Sequence, residues 1–242
     1  RVQKLISKLD NKKIITYGLS ANADVRASNI SYKNNKMKFV LHSQISENFE
    51  IEFSMVGNHN IQNALATIAV GIELKIPLQK IRETLQNFTG VERRFQRVGN
   101  FNNTLIIDDY GHHPVEISSA LAASRLMAPN NKVVSIFQPH RYTRLRDLFD
   151  EFCSCFNDAD YVFLLDVYPA GEKLIHKFES VDLENGLYKY GHKNVLYIKN
   201  EQDIAKTLLK IIKPKDIVIC LGAGSITKIA NKLVENLNNE LK

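Results

Sequence analysis

Two short polar segments hold most of the side chains in this sequence that could do chemistry. The first is residues 108–116, Asp-Asp-Tyr-Gly-His-His-Pro-Val-Glu, and the second is residues 137–144, Phe-Gln-Pro-His-Arg-Tyr-Thr-Arg. Each follows an apolar run that predicts a strand, and each precedes a pattern typical of an amphipathic helix. Because ligands of an open parallel sheet bind outside the carboxyl ends of its strands, we expect two adjacent strands to present these side chains to one crevice.

The second segment predicts an anion site. Arg141 and Arg144 stand three residues apart at a predicted helix start, and Thr143 is a candidate N-cap. Two guanidinium groups beside a helix N-terminus attract anions, and a carboxylate held by paired hydrogen bonds is the ligand that we expect. The alternative is that both arginines are ordinary solvated surface charges.

The first segment offers several kinds of polar contact. Asp108 and Asp109 are candidates to accept a ribose hydroxyl, to orient a metal or to cap the next helix, which Pro114 is suited to begin. Tyr110 and His112 are two residues apart in an extended turn, so we expect both side chains on the side that faces a substrate. The adjacent pair of histidines lacks the spacing of a zinc-binding helix, which disfavours a metal site there.

A third polar segment, residues 57–64 (Gly-Asn-His-Asn-Ile-Gln-Asn-Ala), lies where a predicted strand passes into a helix. Asn60 and Asn63 are predicted to share the face opposite the apolar stripe, where their amides can donate to and accept from a purine base. His59 is a candidate metal ligand or phosphate contact. The alternative is that Asn58 or Asn60 only caps the helix.

Two further segments carry less specific patterns. Arg93 and Arg94 follow a predicted linker at residues 89–91, where an arginine suits either a phosphate clamp between domains or a solvated hinge. Residues 222–225, Gly-Ala-Gly-Ser, end the last predicted strand. Glycines there suit a phosphate loop and tight strand–helix packing about equally well.

The elements that must position these residues divide the chain in two. In the first part, the pattern predicts strands at residues 13–19, 25–32, 37–41 and 49–55, a turn at 34–35, and helices from about 60 and over 77–88. In the second part, it predicts strands near residues 104–108, 132–137, 160–165, 195–198 and 216–221. Helices at about 114–127, 144–157, 202–212 and 225–238 alternate with them, and residues 166–185 form an irregular connection. The fold class is therefore α/β, with a doubly wound, mostly parallel sheet in the second part.

Composition excludes several classes of protein. The 242 residues are 44% hydrophobic and carry a net charge of +6 without any block of five basic residues, so anionic small molecules are expected as partners rather than nucleic acid. Three cysteines without a C-x-x-C pair argue against disulfides and structural zinc, and indicate a cytoplasmic protein. No apolar run approaches the roughly 20 residues that span a bilayer, so no membrane partner is expected.

Together these segments resemble the Mur ligase family, in order along nearly the whole chain. The matching parts are residues 24–27, 57–64, 90–95, 108–116, 137–144 and 222–226. The resemblance implies an ATP-dependent ligase that joins L-alanine to the carboxylate of UDP-N-acetylmuramate through an acyl phosphate, with Mg²⁺ or Mn²⁺. It also implies that residues 1–92 are the C-terminal portion of a partial central α/β ATPase domain, and that residues 93–242 are a complete, Rossmann-like C-terminal domain that binds the amino acid.

The resemblance further implies roles for individual residues. The catalytic residues would be His59, Arg94 and His112, with His59 also beside the metal. The ATP contacts would be Asn60, Asn63, Arg94 and Asp109. The substrate pocket would contain Tyr110, His112, Arg141 and Arg144, with both arginines receiving the alanine carboxylate.

The sequence departs from the family pattern at its beginning. It has no G-x-x-G-K-T-T phosphate loop, no acidic metal-binding segment after such a loop and no UDP-binding domain, and it begins with Arg1. We therefore expect a fragment that needs the missing N-terminal and central segments, and no ligase activity from residues 1–242 alone. Two alternatives stay open: a ligase of the same family that recycles murein peptides, and a non-catalytic binding half of a split protein.

Overall fold

The computed structural model describes residue 9 and residues 11–241, which form two compact units. The first unit ends at Thr89 and the second begins at Gly90. The boundary predicted after residue 92 falls just inside the second unit. In this described part of the chain, no helix has both the length and the apolar character needed to cross a membrane.

Within the described residues, the first unit contains a four-stranded sheet in the order β1-β2-β3-β4. The strands are β1 (Tyr17–Gly18), β2 (Val25–Lys33), β3 (Lys36–Ser43) and β4 (Ser46–Phe53). β1 pairs parallel with β2, and the other neighbours are antiparallel. Only two residues of the strand predicted at 13–19 pair with the sheet, whereas the other three strands lie close to their predicted positions.

Local chemistry explains the hairpin and the core of this unit. Asn34 and Asn35 have φ of 54° and 60°, a conformation that asparagine tolerates and that a two-residue hairpin turn requires. Helices α1 (Asn58–Glu73) and α2 (Leu78–Asn87) cover the sheet. Alternate strand side chains are buried, as the period-two pattern predicts: Val25, Ala27, Met37, Phe39, Leu41, Ile51 and Phe53.

The second unit is built on a sheet that, among the described residues, has six strands in the order β5-β6-β10-β7-β8-β9. These are β5 (Gln96–Phe101), β6 (Thr104–Asp109), β7 (Val133–Phe137), β8 (Tyr161–Leu164), β9 (Val195–Tyr197) and β10 (Ile217–Leu221). All neighbours are parallel except β5, which pairs antiparallel with β6. This confirms the mostly parallel α/β fold. Every residue of β7 and β10 is buried, as expected for central strands covered on both faces.

The helices of this unit are α3 (Pro114–Met127), α4 (Tyr142–Asp147), α5 (Phe149–Ser154), α6 (Ser180–Lys189), α7 (Asp203–Leu209) and α8 (Ile226–Asn239). Two predictions about them are wrong. The single helix predicted over residues 144–157 is divided at Leu148, whose φ of −126° interrupts it. The connection predicted to be irregular contains the start of α6, which Glu179 caps by accepting the N–H of the third helical residue while Asp182 accepts the N–H of Glu179.

Candidate functional site

The two polar segments meet at the carboxyl edge of the second sheet through a strand from elsewhere in the chain. β10 lies between β6 and β7, so the expectation that these two strands are adjacent is wrong. Past the strand ends, the N–H of Gly222 donates to the carbonyl of Asp109 at 3.1 Å. The N–H of Gln138 donates to the carbonyl of Leu221 at 3.0 Å. Backbone hydrogen bonds therefore connect the loops that follow β6, β10 and β7 at this edge of the sheet.

Both aspartates at the end of β6 are buried and bonded within the protein. The Asp109 carboxylate accepts the N–H groups of Phe95 and Gly111, each at 2.7 Å. Asp108, only 1% exposed, accepts a hydrogen bond from the hydroxyl of Thr227. Burial raises the pKa of both carboxyl groups, and these hydrogen bonds oppose the rise only in part. The Asp109 carboxylate therefore stabilises the loop that follows β6. A nucleotide contact by Asp109 stays a prediction.

Tyr110 and His112 lie on the same side of their loop, as expected. Their rings meet edge to face with centroids 5.2 Å apart. Nδ1 of His112 is 2.9 Å from the carbonyl oxygen of Tyr110. Because a carbonyl only accepts, Nδ1 carries the proton, and the neutral ring keeps Nε2 as an acceptor. The exposed guanidinium of Arg94 borders the same place, 5.5 Å from the Tyr110 centroid.

The neighbouring histidine, His113, caps the N-terminus of α3 instead. Nδ1 of His113 accepts the N–H of Val115 at 3.4 Å, and α3 begins at Pro114 as predicted. The Glu116 carboxylate accepts the N–H groups of His112 and His113 at 3.0 and 3.2 Å. Burial alone would raise the pKa of Glu116, but these donors and nearby positive charge hold it below its ordinary value.

Helix α4 begins without the predicted cap. Its N-cap residue is Arg141, whose φ is 74° and whose N–H donates to the carbonyl of Tyr168 at 2.9 Å. Thr143 lies inside the helix and is bound by Glu172, which accepts its hydroxyl at 2.6 Å and its N–H at 3.0 Å. The prediction of a Thr143 cap is wrong because a carboxylate from a distant loop satisfies these groups.

The two arginines of this segment, Arg141 and Arg144, differ in the hydrogen bonds that their side chains make. Nη1 of Arg144 donates to the carbonyl of His140 at 3.0 Å and lies 3.2 Å from Nδ1 of the same residue. The side chain of Arg141 is exposed and makes no hydrogen bond to the described residues. One guanidinium is therefore oriented by the protein, and the other is available to an anion.

Two residues without a predicted role face the same site. The ring of His140 stacks on that of Tyr168 with centroids 5.3 Å apart and an interplanar angle of 11°. On its other side, His140 lies 5.9 Å from His112, centroid to centroid. The segment at residues 168–172 lies within the connection predicted at 166–185. No local sequence pattern predicts that its tyrosine contacts His140.

The glycine segment at residues 222–225 is explained by packing, because Gln138 occupies the start of α8. Oε1 of Gln138 accepts the N–H of Ile226 at 3.1 Å, and its Nε2 donates to the hydroxyl of Ser225 at 3.2 Å. A Cβ on Gly224 would lie 2.6 Å from Oε1 of Gln138 and 2.6 Å from Cγ of Tyr168. The first amide of α8, the N–H of Ile226, is therefore already partnered by Gln138.

In the first unit, the residues predicted to contact a nucleotide lie in the first turns of α1. Asn60 is only 9% exposed and donates from Nδ2 to the carbonyl of Val56 at 2.9 Å. The prediction that it faces away from the apolar stripe is wrong, because its amide satisfies a carbonyl at the strand–helix junction. Asn63 is exposed and donates to Oδ1 of Asn60 at 3.3 Å. The N-cap is Gly57, rather than either predicted asparagine.

His59 is half-buried at the second position of α1. Within the described ranges, no group of three or more His, Cys, Asp or Glu residues could hold a metal ion. A metal-side or catalytic role for His59 therefore stays a prediction.

Known proteins resemble this chain over both units. A family model described as the Mur ligase middle domain matches residues 1–71, and one described as Mur ligase, glutamate ligase domain, matches residues 93–224. The UDP-N-acetylmuramate–L-alanine ligase of Bradyrhizobium sp. (strain BTAi1) is 46% identical over 247 residues, covering 100% of this chain and 52% of the relative. The Paracoccus denitrificans protein of that name is 42% identical over 252 residues, covering 99% and 52%. The chain thus spans about half the length of the curated relatives it matches.

A solved structure agrees with the fold. The crystal structure of UDP-N-acetylmuramate-alanine ligase MurC from Thermotoga maritima aligns with a TM-score of 0.77 at 26% identity, covering 93% of this chain and 48% of that one. The structure of MurF from Acinetobacter baumannii, at 18% identity and a TM-score of 0.70, shares the fold. Because the match at residues 93–224 alone covers more than half of the sequence, the chain belongs to the Mur ligase family.

Proposed function

We propose that this chain is the amino-acid-adding part of an ATP-dependent ligase that joins L-alanine to the carboxylate of UDP-N-acetylmuramate, a step of peptidoglycan precursor synthesis. One observation carries the proposal: a single sheet edge offers guanidinium groups on Arg141 and Arg144, and an imidazole on His112 whose Nδ1 is held by a carbonyl, so that Nε2 is the nitrogen that can accept a proton. These are the partners that the carboxylate and the amine of a free amino acid require. The relatives at 42–46% identity carry the name of this activity.

The chemistry assigns one task to each group. A phosphoryl group passes to the muramate carboxylate, and the amine nitrogen of alanine attacks the resulting acyl carbon. A C–N bond forms, the C–O bond to phosphate breaks, and the nitrogen loses a proton. Arg141 and Arg144 hold the alanine carboxylate, Nε2 of His112 accepts the proton from the amine, and Tyr110 forms the adjacent wall.

ATP fits the described residues only in part. The exposed amide of Asn63 can contact adenine, and the exposed guanidinium of Arg94 can contact phosphate. Asn60 supports Asn63 rather than the base. Bound Mg²⁺ or Mn²⁺ would neutralise phosphate charge, and His59 is the candidate beside it, although the described residues alone do not group into a metal site. A cytoplasmic location is part of the proposal, since all three cysteines are free thiols.

The test is an assay of the full-length ligase that carries this chain. Phosphate release and amide formation are measured with ATP and UDP-N-acetylmuramate while the amino donor is L-alanine, glycine or a murein tripeptide. We expect equimolar phosphate and amide with L-alanine, and none from residues 1–242 alone. Preference for the tripeptide would instead indicate the murein-recycling ligase. Absence of product with every donor would indicate a non-catalytic binding half.

A further inference from the structure

Four rings form a continuous row along the carboxyl edge of the second sheet. This ring row consists of Tyr110, His112, His140 and Tyr168, with successive centroids 5.2, 5.9 and 5.3 Å apart. Its members come from three loops: Tyr110 and His112 follow β6, His140 follows β7 and Tyr168 follows β8, so three strand ends hold the four rings. Tyr168 is fixed from behind by Gly224, which has no space for a Cβ.

Within the row, His140 is the residue that holds Arg144. One guanidinium nitrogen, Nη1, lies 3.0 Å from the carbonyl of His140 and 3.2 Å from its Nδ1. The loop that carries His140 is tied to Tyr168 by two backbone bonds: Tyr168 N–H to the Pro139 carbonyl at 2.8 Å, and Arg141 N–H to the Tyr168 carbonyl at 2.9 Å. Because one nitrogen is anchored to a rigid loop, the remaining donors of Arg144 have a restricted direction.

The contact also determines where His140 carries its proton. An arginine nitrogen only donates, so Nδ1 of His140 must be an unprotonated acceptor, and the neutral ring carries its hydrogen on Nε2. His112 has the opposite arrangement, because its Nδ1 donates to a carbonyl. The two neighbouring rings therefore differ: Nε2 of His112 accepts and Nε2 of His140 donates.

We propose that His140 is a positioning residue for Arg144, and that it orients this arginine toward the substrate carboxylate only as the neutral imidazole with its proton on Nε2. This inference rests on the proposed function, since it takes Arg144 as a carboxylate-binding group. A protonated ring would place an N–H against the Nη1 donor of Arg144, remove the contact with Nδ1 and leave only the bond to the backbone carbonyl.

The surroundings of His140 favour the neutral form. Burial is the main cause that lowers its pKa below the ordinary value, and the positive charge of Arg144 and Arg141 and the nearby His112 act in the same direction. Glu172 opposes the change, and Tyr168 faces the ring by stacking. These surroundings therefore favour the neutral imidazole over the protonated one.

The kinetic test compares two substitutions in the full-length ligase. His140→Phe keeps a ring against Tyr168 and the backbone carbonyl but has no side-chain acceptor, so we expect the KM for L-alanine to rise about tenfold at every pH, with kcat within a few-fold. His140→Asn keeps an acceptor oxygen that does not titrate. Its KM should stay near the wild-type value at pH 8, and the increase in KM that we expect of the wild type as the pH falls should be absent. His176→Asn, at a side chain 86% exposed, is the matched control.

A spectroscopic test needs no turnover. Imidazole ¹H–¹⁵N spectra of the chain at pH 8 should show the His140 proton on Nε2 and the His112 proton on Nδ1. Arg144→Ala should shift the His140 Nδ1 resonance and raise the pH at which this ring titrates. A proton on Nδ1 of His140, or a wild-type KM profile in His140→Phe, would overturn the assignment. If the enzyme does not use L-alanine but the His140 variants change the KM for another amino acid in the same way, the proposed substrate is wrong and the role of His140 stands.

Discussion

Arg93 and Tyr110 make two contacts with each other, a cation–π contact and a backbone hydrogen bond. The guanidinium carbon of Arg93 lies 4.7 Å from the ring centroid of Tyr110, and the N–H of Tyr110 donates to the carbonyl of Arg93 at 2.7 Å. The same guanidinium donates to the carbonyl of Gly222 at 2.8 Å, which ties the loop after β10 to the loop after β6. Arg93 thus connects Tyr110 of the ring row to the loop after β10.

Arg93→Met should lower the free energy of unfolding by about 1–3 kcal/mol, because it removes a charged hydrogen bond to a buried carbonyl and a cation–π contact. Urea unfolding followed by circular dichroism measures the change. Arg97→Met, at an exposed position of β5, should change stability by less than about 0.5 kcal/mol. Equal stability of the two variants would show that the Arg93 contacts are not stabilising.

The free energy of unfolding of Asp108→Asn should increase relative to that of the wild type as the pH rises. Burial raises the pKa of Asp108, so the folded protein binds this proton more tightly than the unfolded chain does. Stability from this group is therefore lost between the ordinary carboxyl pKa and the raised one. Unfolding at several pH values from 4 to 7 measures the difference in free energy between the two proteins.

Asp147→Asn, which removes a surface carboxylate, is the control for a general effect of charge on the Asp108 comparison. If the advantage of Asp108→Asn shrinks as the pH rises, the ion pair with Arg93, at 3.8 Å, outweighs the cost of burial.

Asn60→Ala and Asn63→Ala should separate stability from nucleotide binding. Loss of the Asn60 amide leaves the Val56 carbonyl without its partner, and we expect a cost of about 1–3 kcal/mol in unfolding free energy. Asn63→Ala should leave stability nearly unchanged but raise the KM for ATP in the full-length ligase about tenfold. A stability loss in Asn63→Ala without a change in the KM for ATP would make this residue structural.

Arg141→Lys and Arg144→Ala should each raise the KM for L-alanine on the order of a hundredfold, because a charge-assisted contact to carboxylate is lost or loses its planar geometry. The KM for ATP should stay within a few-fold. Arg146→Lys, on the same helix and paired with Asp147, is the matched control. Equal increases in both constants would contradict the carboxylate assignment and indicate a phosphate contact or misfolding.

Much of the local structure could be predicted because it depends on neighbouring residues. The Asn34–Asn35 turn needs positive φ at both positions, and asparagine supplies it at low cost. Pro114 begins α3, and Tyr110 and His112 lie on one side because extended backbone alternates every residue. Apolar periodicity was enough to indicate an α/β sheet with functional loops at the carboxyl ends of its strands.

The assembly of the site depends on contacts between distant segments, which no local pattern contains. β10, more than a hundred residues after β6, inserts between β6 and β7 and brings the carbonyl of Gly222 within hydrogen-bond distance of Arg93. The Tyr168 ring reaches His140, Gln138 occupies the start of α8, and Asn60 turns inward to a carbonyl. The sequence by itself determined which residue types stand at the strand ends and the fold class that places them together. Only the tertiary structure decided which of them are bonded within the protein and which stay exposed, because buried polar atoms take the partners that strand order and packing bring within hydrogen-bond distance.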